Sequence, residues 1–226
     1  MYLASPGNQL QADAVRSQAV LLSYAGWLKN KPLMRWAPSF DRVLVDSGAF
    51  SELNSGLVVD QSAYIEWAQK IPWADNWAAL DDISGDTDRT LRNSDRFGFP
   101  TFHDTDPLTE LPSFIELACK RGGWLGLGMT PPRPIAREAW LREVCERIPE
   151  DIHVHGWALP KFGHVARLDS VDATTWWRVA MRLRTIGELS HLTYGETLEI
   201  VVKRYQREAR MVIADDQLPL LAETRG

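Results

Sequence analysis

Short apolar segments that end in polar residues or glycine recur along the chain, and they constrain its fold more than any other feature. Each is too apolar to leave one face in water, which is typical of strands buried in a parallel sheet. Segments with helical spacing separate most of them, so the pattern predicts a series of strand–helix units. Eight segments are predicted as strands: residues 2–4, 20–24, 43–46, 78–82, 100–104, 124–128, 152–156 and 167–172.

Several segments outside the strands carry the signals of individual helices. Asp60 is the predicted N-cap of one helix. A second helix ends at Arg121-Gly122-Gly123, and Pro149 follows a third. The connections after the second and seventh strands hold only a turn or two. The apolar positions that predict these helices and a longer C-terminal one are Tyr64, Trp67, Ala68 and Ile71; Phe114, Leu117 and Ala118; Leu141, Val144, Cys145 and Ile148; and Tyr194, Leu198, Val201, Tyr205, Ala209 and Val212.

Eight alternating units favour a single-domain (β/α)8 TIM barrel, an α/β fold that commonly occupies a chain of this length. We expect the domain to span residues 1–226, with the strands and crossovers in 1–177 and C-terminal helices in 178–226. An open doubly wound sheet is the alternative. It is less favoured because Gly126-Leu127-Gly128 lacks the third glycine of a phosphate-binding turn at the start of a helix.

The formal net charge of −5 excludes a polycation, so any contact with nucleic acid has to come from a local basic surface. Two stretches place basic residues beside tryptophans, and both fit either a nucleic-acid contact or ordinary solvated charge. These candidate nucleic-acid-binding residues are Lys29, Lys31 and Arg35, near Trp27 and Trp36, and Arg178 and Arg182, near Trp176 and Trp177. No apolar run approaches the roughly 18 residues that span a bilayer, and no signal peptide is recognisable, so we expect a cytoplasmic protein with no membrane partner.

The ends of the predicted strands carry the candidate functional residues, because a parallel barrel places its active site at the carboxyl ends of its strands. Asp46, Asp172 and the Asp81-Asp82 pair bring carboxylates from three strands to one mouth. Adjacent residues of a strand point in opposite directions, so the choice between Asp81 and Asp82 stays open, with a preference for Asp81 because it directly follows the apolar run. The other strand ends contribute His103-Asp104, residues 126–129 and His155-Gly156.

His153 and His155 lie two residues apart on one predicted strand and therefore share a face. Together with Asp172, such a pair would suit a metal-dependent barrel hydrolase. A metal site would need further ligands from other strand ends, and the chain has five histidines in all. Neutral imidazoles that hydrogen-bond a polar ligand are favoured over a metal centre, so no metal or other cofactor is predicted.

Four stretches of the chain are similar to motifs that occur together in one enzyme superfamily. Asp46-Ser47-Gly48-Ala49-Phe50-Ser51 resembles an Asp-Ser-Gly-Gly-Phe-Gln signature, and Leu125-Gly126-Leu127-Gly128-Met129 looks like a glycine-rich base-binding loop. His155-Gly156-Trp157-Ala158-Leu159 is similar to His-Gly-Phe-Gly-Leu, and Ser170-Val171-Asp172-Ala173-Thr174-Thr175-Trp176 to Ser-Val-Asp-Ser-Thr-Ser-Trp. The stretches keep the same order over residues 43–177. They resemble the tRNA-guanine transglycosylase-like superfamily, and most closely the DpdA-type 7-deazaguanine DNA transglycosylases of phages and DNA-modification clusters, whose fold is a barrel.

The resemblance implies a pentosyltransferase that exchanges guanine for a 7-deazaguanine base such as preQ0. Asp172 would be the nucleophile that holds the sugar covalently, and Asp46 the general base that takes a proton from the incoming base. Asp81 or Asp82 would accept hydrogen bonds from N–H groups of the base. The other residues that the resemblance implies in substrate binding are Ser47, Gly48, Phe50, His103, Gly126, Gly128, Met129, His155 and Gly156.

Two departures from the family pattern bear on the substrate. The tRNA enzymes carry a zinc module built from three cysteines and a histidine, which a chain with two cysteines cannot form. Its absence favours DNA as the substrate, with tRNA as the alternative, and related DNA-modification systems often include partner proteins. Ala49 and Ser51 replace a glycine and a glutamine of the tRNA enzymes beside the base pocket, so they leave open which 7-deazaguanine is accepted.

Overall fold

The computed structural model describes residues 1–29, 31, 33–128, 134–159, 162, 166–173 and 175–215. Its strands are β1 (Tyr2–Ala4), β2 (Ala19–Ser23), β3 (Arg42–Asp46), β4 (Asn76–Trp77), β5 (Thr101–His103), β6 (Trp124–Gly128), β7 (His153–Gly156) and β8 (Ser170–Ala173). Its helices are α1 (Gln9–Ala14), α2 (Tyr24–Lys29), α3 (Leu33–Trp36), α4 (Ala49–Ser55), α5 (Gln61–Ala68), α6 (Thr87–Arg96), α7 (Leu111–Lys120), α8 (Pro134–Arg147), α9 (Trp176–Thr185) and α10 (Tyr194–Asp215).

The strands form one parallel sheet in the order β4-β3-β2-β1-β8-β7-β6-β5. A parallel bridge between Ala78 and Phe99 joins the two ends of this sheet. There the Phe99 N–H donates to the Trp77 carbonyl at 2.8 Å, and the Ala79 N–H donates to the Phe99 carbonyl at 2.9 Å. This strand order and the intervening helices confirm the predicted (β/α)8 barrel, in which the carboxyl ends of all the strands meet at one mouth.

Two strands differ from their predicted ranges by more than one residue at an end. β4 comprises only Asn76–Trp77 and is followed by the bridge at Ala78, whereas the prediction was 78–82. Ala79 and Leu80 are buried all the same, and Leu80 belongs to the apolar cluster around Trp67 and Trp176. β8 begins at Ser170, which is the residue that faces His155 across the β7–β8 pair. The apolar runs therefore predicted correctly which residues are buried, but they located the residues that pair in the sheet only approximately.

The predicted helices are present, although α5 ends at Ala68 and α8 at Arg147, before the predicted helical positions Ile71 and Ile148. The Asp60 carboxylate caps α5 by accepting the Ala63 N–H at 2.7 Å, and α7 ends at Lys120 just before the predicted stop. α8 and α10 occupy the third and fourth predicted ranges, and α10 packs against α9 and α1. The described residues between β7 and β8 contain no helix. Among the described helices, none is long and apolar enough to cross a membrane.

The interior of the barrel is filled by side chains. Tyr2, Leu21, Leu44, Ala78 and Phe99 form a buried cluster. Trp157 packs on this cluster and stacks parallel to Phe99, with ring centroids 6.1 Å apart and planes within 6°. Larger apolar clusters lie between the sheet and the helices, around Trp67 and Trp176 in one half and around Phe102 and Phe114 in the other. Because the centre is packed, a ligand binds at the mouth rather than inside the barrel.

Candidate active site

A cavity of about 210 Å³ opens at the carboxyl ends of the strands. Three aspartates and a histidine from four different strand ends face it, with aromatic and aliphatic side chains completing its wall. The lining residues are Leu21, Asp46, Ala49, Phe50, Asp81, Ile83, His103, Gly128, Trp157, Ala158 and Asp172. The structure therefore brings the predicted residues Asp46, Phe50, Asp81, His103, Gly128 and Asp172 together in one site.

Asp46 is the last residue of β3 and is half-buried at the cavity wall. Its register partner is Ser23, the last residue of β2. Burial is the main cause that raises the pKa of Asp46 to about 7, and the nearby charges of Asp81 and Asp172 add to it. Hydrogen bonds from the Gly48 N–H and the Ser23 hydroxyl act in the opposite direction. The carboxyl group therefore gains and loses a proton near neutral pH, which suits proton transfer.

The turn after Asp46 depends on Gly48. This residue is the N-cap of α4 and has a φ of 88°, in the left-handed region. A Cβ atom at Gly48 would lie 2.4 Å from the Cβ of Ala25, so α2 and this turn pack in direct contact. Ser47 is buried and its hydroxyl accepts the Ala49 N–H at 3.3 Å. The turn leaves Phe50 at the rim of the cavity, where 58% of its surface is exposed.

Gly48→Ala is expected to lower the free energy of unfolding by about 3 kcal/mol or more, since left-handed strain costs roughly 1–2 kcal/mol and the overlap with Ala25 adds to it. Gly56→Ala is the matched control. Gly56 is the C-cap of the same helix with a φ of 63°, but a Cβ there would meet nothing within 4 Å. Urea denaturation of both variants isolates the contact with Ala25. Equal losses for the two variants would contradict the proposed packing.

Asp81 and His103 form a buried pair. The Nε2 atom of His103 lies 2.6 Å from Oδ2 of Asp81, and the two residues are 3% and 9% exposed, respectively. Burial by itself lowers the pKa of His103, but the hydrogen bond and charge of Asp81 outweigh it and raise the pKa above its usual value. The His103 ring packs on Gly128, where a Cβ atom would lie 2.3 Å from Nδ1. Glycine at 128 is therefore required by the close approach of this ring.

Asp82 points away from the cavity, into an adjacent depression beside Glu52. Its Oδ1 accepts the Ser84 hydroxyl at 2.5 Å and the Ser84 N–H at 2.9 Å, and its Oδ2 accepts from Arg89 at 2.8 Å. Burial raises the pKa of Asp82, but these hydrogen bonds, together with one from the Asp86 N–H, outweigh it and lower the pKa below its usual value. The structure thus places Asp81 in the cavity and uses Asp82 to order the loop before α6.

Asp82→Asn is expected to lower the free energy of unfolding by roughly 1–3 kcal/mol at neutral pH, because hydrogen bonds to a charged group are lost. The folded-state pKa of Asp82 is lowered, so its contribution is present above the unfolded pKa and is lost as the pH falls through the folded value. Denaturation across the acid range should therefore show the difference from the wild type shrinking at low pH. The control is Asp95→Asn, at an exposed carboxylate 4.0 Å from Arg121, which should change stability by less than about 0.5 kcal/mol. A pH-independent loss in Asp82→Asn would contradict the assignment.

Asp172 lies on β8 and is 3% exposed. Its Oδ1 accepts the Ala158 N–H at 2.6 Å, and the Nε2 atom of His155 lies 3.7 Å from the same oxygen. Ala158 has a φ of 54°, a left-handed conformation that is unfavourable for alanine. The chain after β7 is therefore held in a strained turn that points a backbone donor at this carboxylate. Among the described residues, no hydrogen-bond donor contacts Oδ2 of Asp172, which leaves that oxygen for a ligand.

Five other predicted residues do not line the cavity: Ser47 and Gly48, in the turn after Asp46, and Gly126, His155 and Gly156, on β6 and β7. His155 is fully buried behind Asp172, inside the barrel. Gly126 lets Trp157 and Thr101 pack closely, since a Cβ there would lie 2.5 Å from Nε1 of Trp157. Gly156 faces Leu168 and Leu159, where a Cβ would lie 3.0 and 3.1 Å from their atoms. The remaining predicted residue, Met129, lies outside the described residues. These glycines permit packing around the site rather than contact with a ligand.

The His-x-His pair contacts a hydroxyl. His153 Nε2 and His155 Nδ1 lie 2.7 and 2.8 Å from Oγ of Ser170. In the part of the chain that the structure describes, no three histidine, cysteine, aspartate or glutamate side chains come close enough together to hold a metal ion.

Several cavity residues were not among those predicted from the sequence. Trp157 and Ala158 follow β7, and Ile83 follows Asp82. Ser23 supports Asp46 from the neighbouring strand end. Their signal in the sequence was their position at the end of a strand, for Ser23, or just after one, for Trp157 and Ala158.

The predicted nucleic-acid-binding residues Lys29, Lys31, Arg35, Arg178 and Arg182 are all exposed. Lys31 lies over the Trp27 ring with its Nζ 3.4 Å from the centroid, and Arg178 lies over Trp177 at 5.1 Å. Arg178 is in the first turn of α9, which begins just after β8 and so near the mouth. None of the five forms an ion pair with a carboxylate of the described residues.

A comparison with protein-family models finds no match, and no curated protein matches the sequence. Among solved structures, the chain is similar to the X-ray crystal structure of the YdjI aldolase from Escherichia coli K12, with a TM-score of 0.57 and 10% sequence identity. The similarity covers 94% of this chain and 90% of that chain. At this identity it shows the fold alone, and it agrees with the barrel.

Proposed function

We propose that the protein is a base-exchange glycosyltransferase that replaces guanine in DNA by a 7-deazaguanine derivative through a covalent aspartyl–sugar intermediate. One observation carries the proposal: Asp46 and Asp172 face the same small cavity, and the pKa of Asp46 is raised to about 7. The exchange needs one carboxylate that attacks carbon and a second group that moves protons at neutral pH. The motif resemblance assigns the same two residues to these roles.

In the first step, Oδ2 of Asp172 attacks C1′ of the guanosine nucleotide. The new C1′–O bond forms as the C1′–N9 bond breaks, and the electron pair of that bond leaves with guanine. The departing base needs a proton, which Asp46 supplies because its raised pKa keeps it partly protonated near neutral pH. The Ala158 N–H holds the other oxygen of Asp172, so the attacking oxygen has a defined direction.

In the second step, the 7-deazaguanine base occupies the cavity. Its N9–H proton passes to Asp46 while N9 attacks C1′, and the C1′–O bond to Asp172 breaks with its electrons returning to the carboxylate. Asp46 is then protonated and Asp172 ionised, as at the start. No net oxidation occurs, and no cofactor is required by this sequence of bonds.

Recognition of the base is assigned to Asp81 and to the aromatic walls. A carboxylate accepts two N–H groups, which matches the N1–H and 2-amino edge shared by guanine and 7-deazaguanines. Phe50 at the rim and Trp157 in the wall offer ring surfaces on which a planar base stacks. Because the cavity lies at the end of the barrel, a base in a duplex has to leave the stack to reach it.

DNA is proposed as the polymer, since the two cysteines of the chain cannot build the zinc module of the tRNA enzymes. The exposed cations in and between α2 and α3 and those of α9, two of which lie over tryptophan rings, would contact the phosphate backbone. The base is a 7-deazaguanine such as preQ0. Partner proteins of a DNA-modification system are part of the same proposal.

The test is mass spectrometry of nucleosides. Purified protein is incubated with duplex DNA or with a tRNA transcript, each with preQ0, and DNA from cells that express the protein with a precursor supply is digested in parallel. The expected result is a 7-deazaguanine deoxynucleoside in the DNA digests. A modified nucleoside in tRNA alone would overturn DNA as the substrate, and no modified nucleoside in any sample would overturn the proposed function.

A further inference from the structure

A row of inward-facing polar side chains runs through the barrel to Asp172. His155 faces Ser170 in the β7–β8 register, and alternation places His153 and His155 on one face of β7 and Ser170 and Asp172 on one face of β8. Oγ of Ser170 lies 2.7 Å from Nε2 of His153 and 2.8 Å from Nδ1 of His155. The far nitrogen of His155, Nε2, then lies 3.7 Å from Oδ1 of Asp172.

The Ser170 hydroxyl has one proton and two imidazole neighbours. It donates to one ring nitrogen, and the other ring has to donate to its oxygen. If Ser170 donates to His155, then Nδ1 of His155 is the acceptor and Nε2 of His153 carries a proton. If Ser170 donates to His153, both rings take the opposite tautomer. The tautomers of the two histidines are therefore coupled, and one additional contact decides the direction of all the hydrogen bonds in the row.

Asp172 supplies that contact. Nε2 of His155 is buried without a hydrogen-bond partner among the described residues, and the nearest charge that faces it is the Asp172 carboxylate. A lone pair on Nε2 would face the negative oxygen, whereas an N–H would be attracted to it. Burial lowers the pKa of His155 even though Asp172 acts in the opposite direction, so the ring carries a single proton. That proton belongs on Nε2.

Aromatic neighbours hold both rings in place. His153 stacks on Trp124 with ring centroids 3.8 Å apart. His155 has Trp157 against its edge at 4.4 Å and Tyr2 at 5.9 Å, both in T-shaped contacts. These rings surround His155 with apolar surface, and His155 itself is fully buried. A low-polarity surrounding strengthens the attraction between an N–H and a carboxylate.

We propose that His153, Ser170 and His155 form a one-directional hydrogen-bond chain that positions Asp172, with each imidazole in the Nε2–H tautomer. His153 donates to Ser170, Ser170 donates to Nδ1 of His155, and Nε2–H of His155 is presented to Oδ1 of Asp172. Together with the Ala158 N–H, this donor stabilises the ionised carboxylate and leaves Oδ2 toward the cavity. His155 is thus a positioning residue and makes no contact with the base. The expected effect of this chain on base exchange rests on the proposed function, whereas the assignment of the two tautomers does not.

The tautomers are measured directly by long-range proton–nitrogen spectra of protein labelled with ¹⁵N-histidine, near neutral pH and without substrate. The five histidines are assigned by single His→Gln substitutions. The expected result is a neutral ring protonated on Nε2 at both His153 and His155. A ring protonated on Nδ1, or doubly protonated, at His155 would overturn the chain.

The positioning role is measured with Ser170→Ala, which breaks the chain without touching the cavity. We expect kcat of base exchange to fall about 10-fold or more with KM unchanged, and Ser170→Thr to restore most of it because the hydroxyl returns. The control is Ser94→Ala, which removes another buried hydroxyl, one that donates to the Thr90 carbonyl at 2.8 Å on α6. Unchanged kcat in a folded Ser170→Ala variant would overturn the positioning role. If the wild type exchanges no base, the proposed function fails. The spectra still show whether the hydrogen-bond chain has the proposed direction.

Discussion

Asp172→Asn is expected to lower the rate of guanine exchange by at least about 10³-fold, because the amide cannot form the covalent bond to C1′. The substitution keeps the shape of the side chain and an oxygen that accepts the Ala158 N–H, so the fold should be retained. Release of labelled guanine from DNA measures the exchange. In the absence of acceptor base, the wild type should also leave a protein–DNA adduct on a denaturing gel, and Asp172→Asn should leave none.

The matched control is Asp169→Asn. Asp169 lies three residues earlier, is exposed, and accepts the Val154 N–H at 2.8 Å at the opposite end of the β7–β8 pair. The same chemical change at this position should leave exchange within about twofold of the wild type. Undiminished exchange by Asp172→Asn would refute Asp172 as the nucleophile. Equal losses in the two variants would point to damage of β8 instead.

Asp46→Asn is expected to abolish proton transfer and to make the protein more stable. The loss of a general acid–base group costs about 10²–10⁴-fold in rate. The stability gain follows from the raised pKa of Asp46. A carboxyl whose folded pKa lies above its unfolded value contributes stability at low pH that is lost as the pH rises through about 7. An asparagine does not ionise, so it does not lose this stability as the pH rises. Its side-chain oxygen still accepts the hydrogen bonds of Ser23 and Gly48.

The gain in unfolding free energy over the wild type should therefore grow between about pH 4 and 7 and level off above, at about 2–4 kcal/mol. Urea denaturation at several pH values measures it. Asp41→Asn, at an exposed carboxylate just before β3, is the control and should change the unfolding free energy by less than about 0.5 kcal/mol. In the wild type, the rate of exchange should also change with an apparent pKa near 7. An Asp46→Asn variant that is less stable than the wild type at every pH would contradict the raised pKa.

Much of the site was predictable because strand ends in a parallel barrel converge. Asp46, Asp81 and Asp172 follow or end separate apolar runs, and the barrel brings them to one cavity. The choice of Asp81 over Asp82 required tertiary structure. Adjacent carboxylates alternate in direction, and the partner that holds Asp81 is His103, a residue of another strand.

His155 shows the opposite situation. Its place in a motif suggested contact with the substrate, yet it lies behind Asp172. That position depends on the β7–β8 register, in which His155 faces Ser170. A strand's apolar pattern does not specify which residue of its neighbour it meets in a sheet that is buried on both faces.

The sequence by itself determined the number and order of the strands and the polar residues at or after their ends, because a buried strand is an apolar run that can be recognised without knowing its partner. Only the tertiary structure decided which of these residues share a cavity and what their protonation is. The raised pKa of Asp46 is the clearest case. It arises from burial and from the charges of Asp81 and Asp172, residues on other strands that are near Asp46 only in the closed barrel.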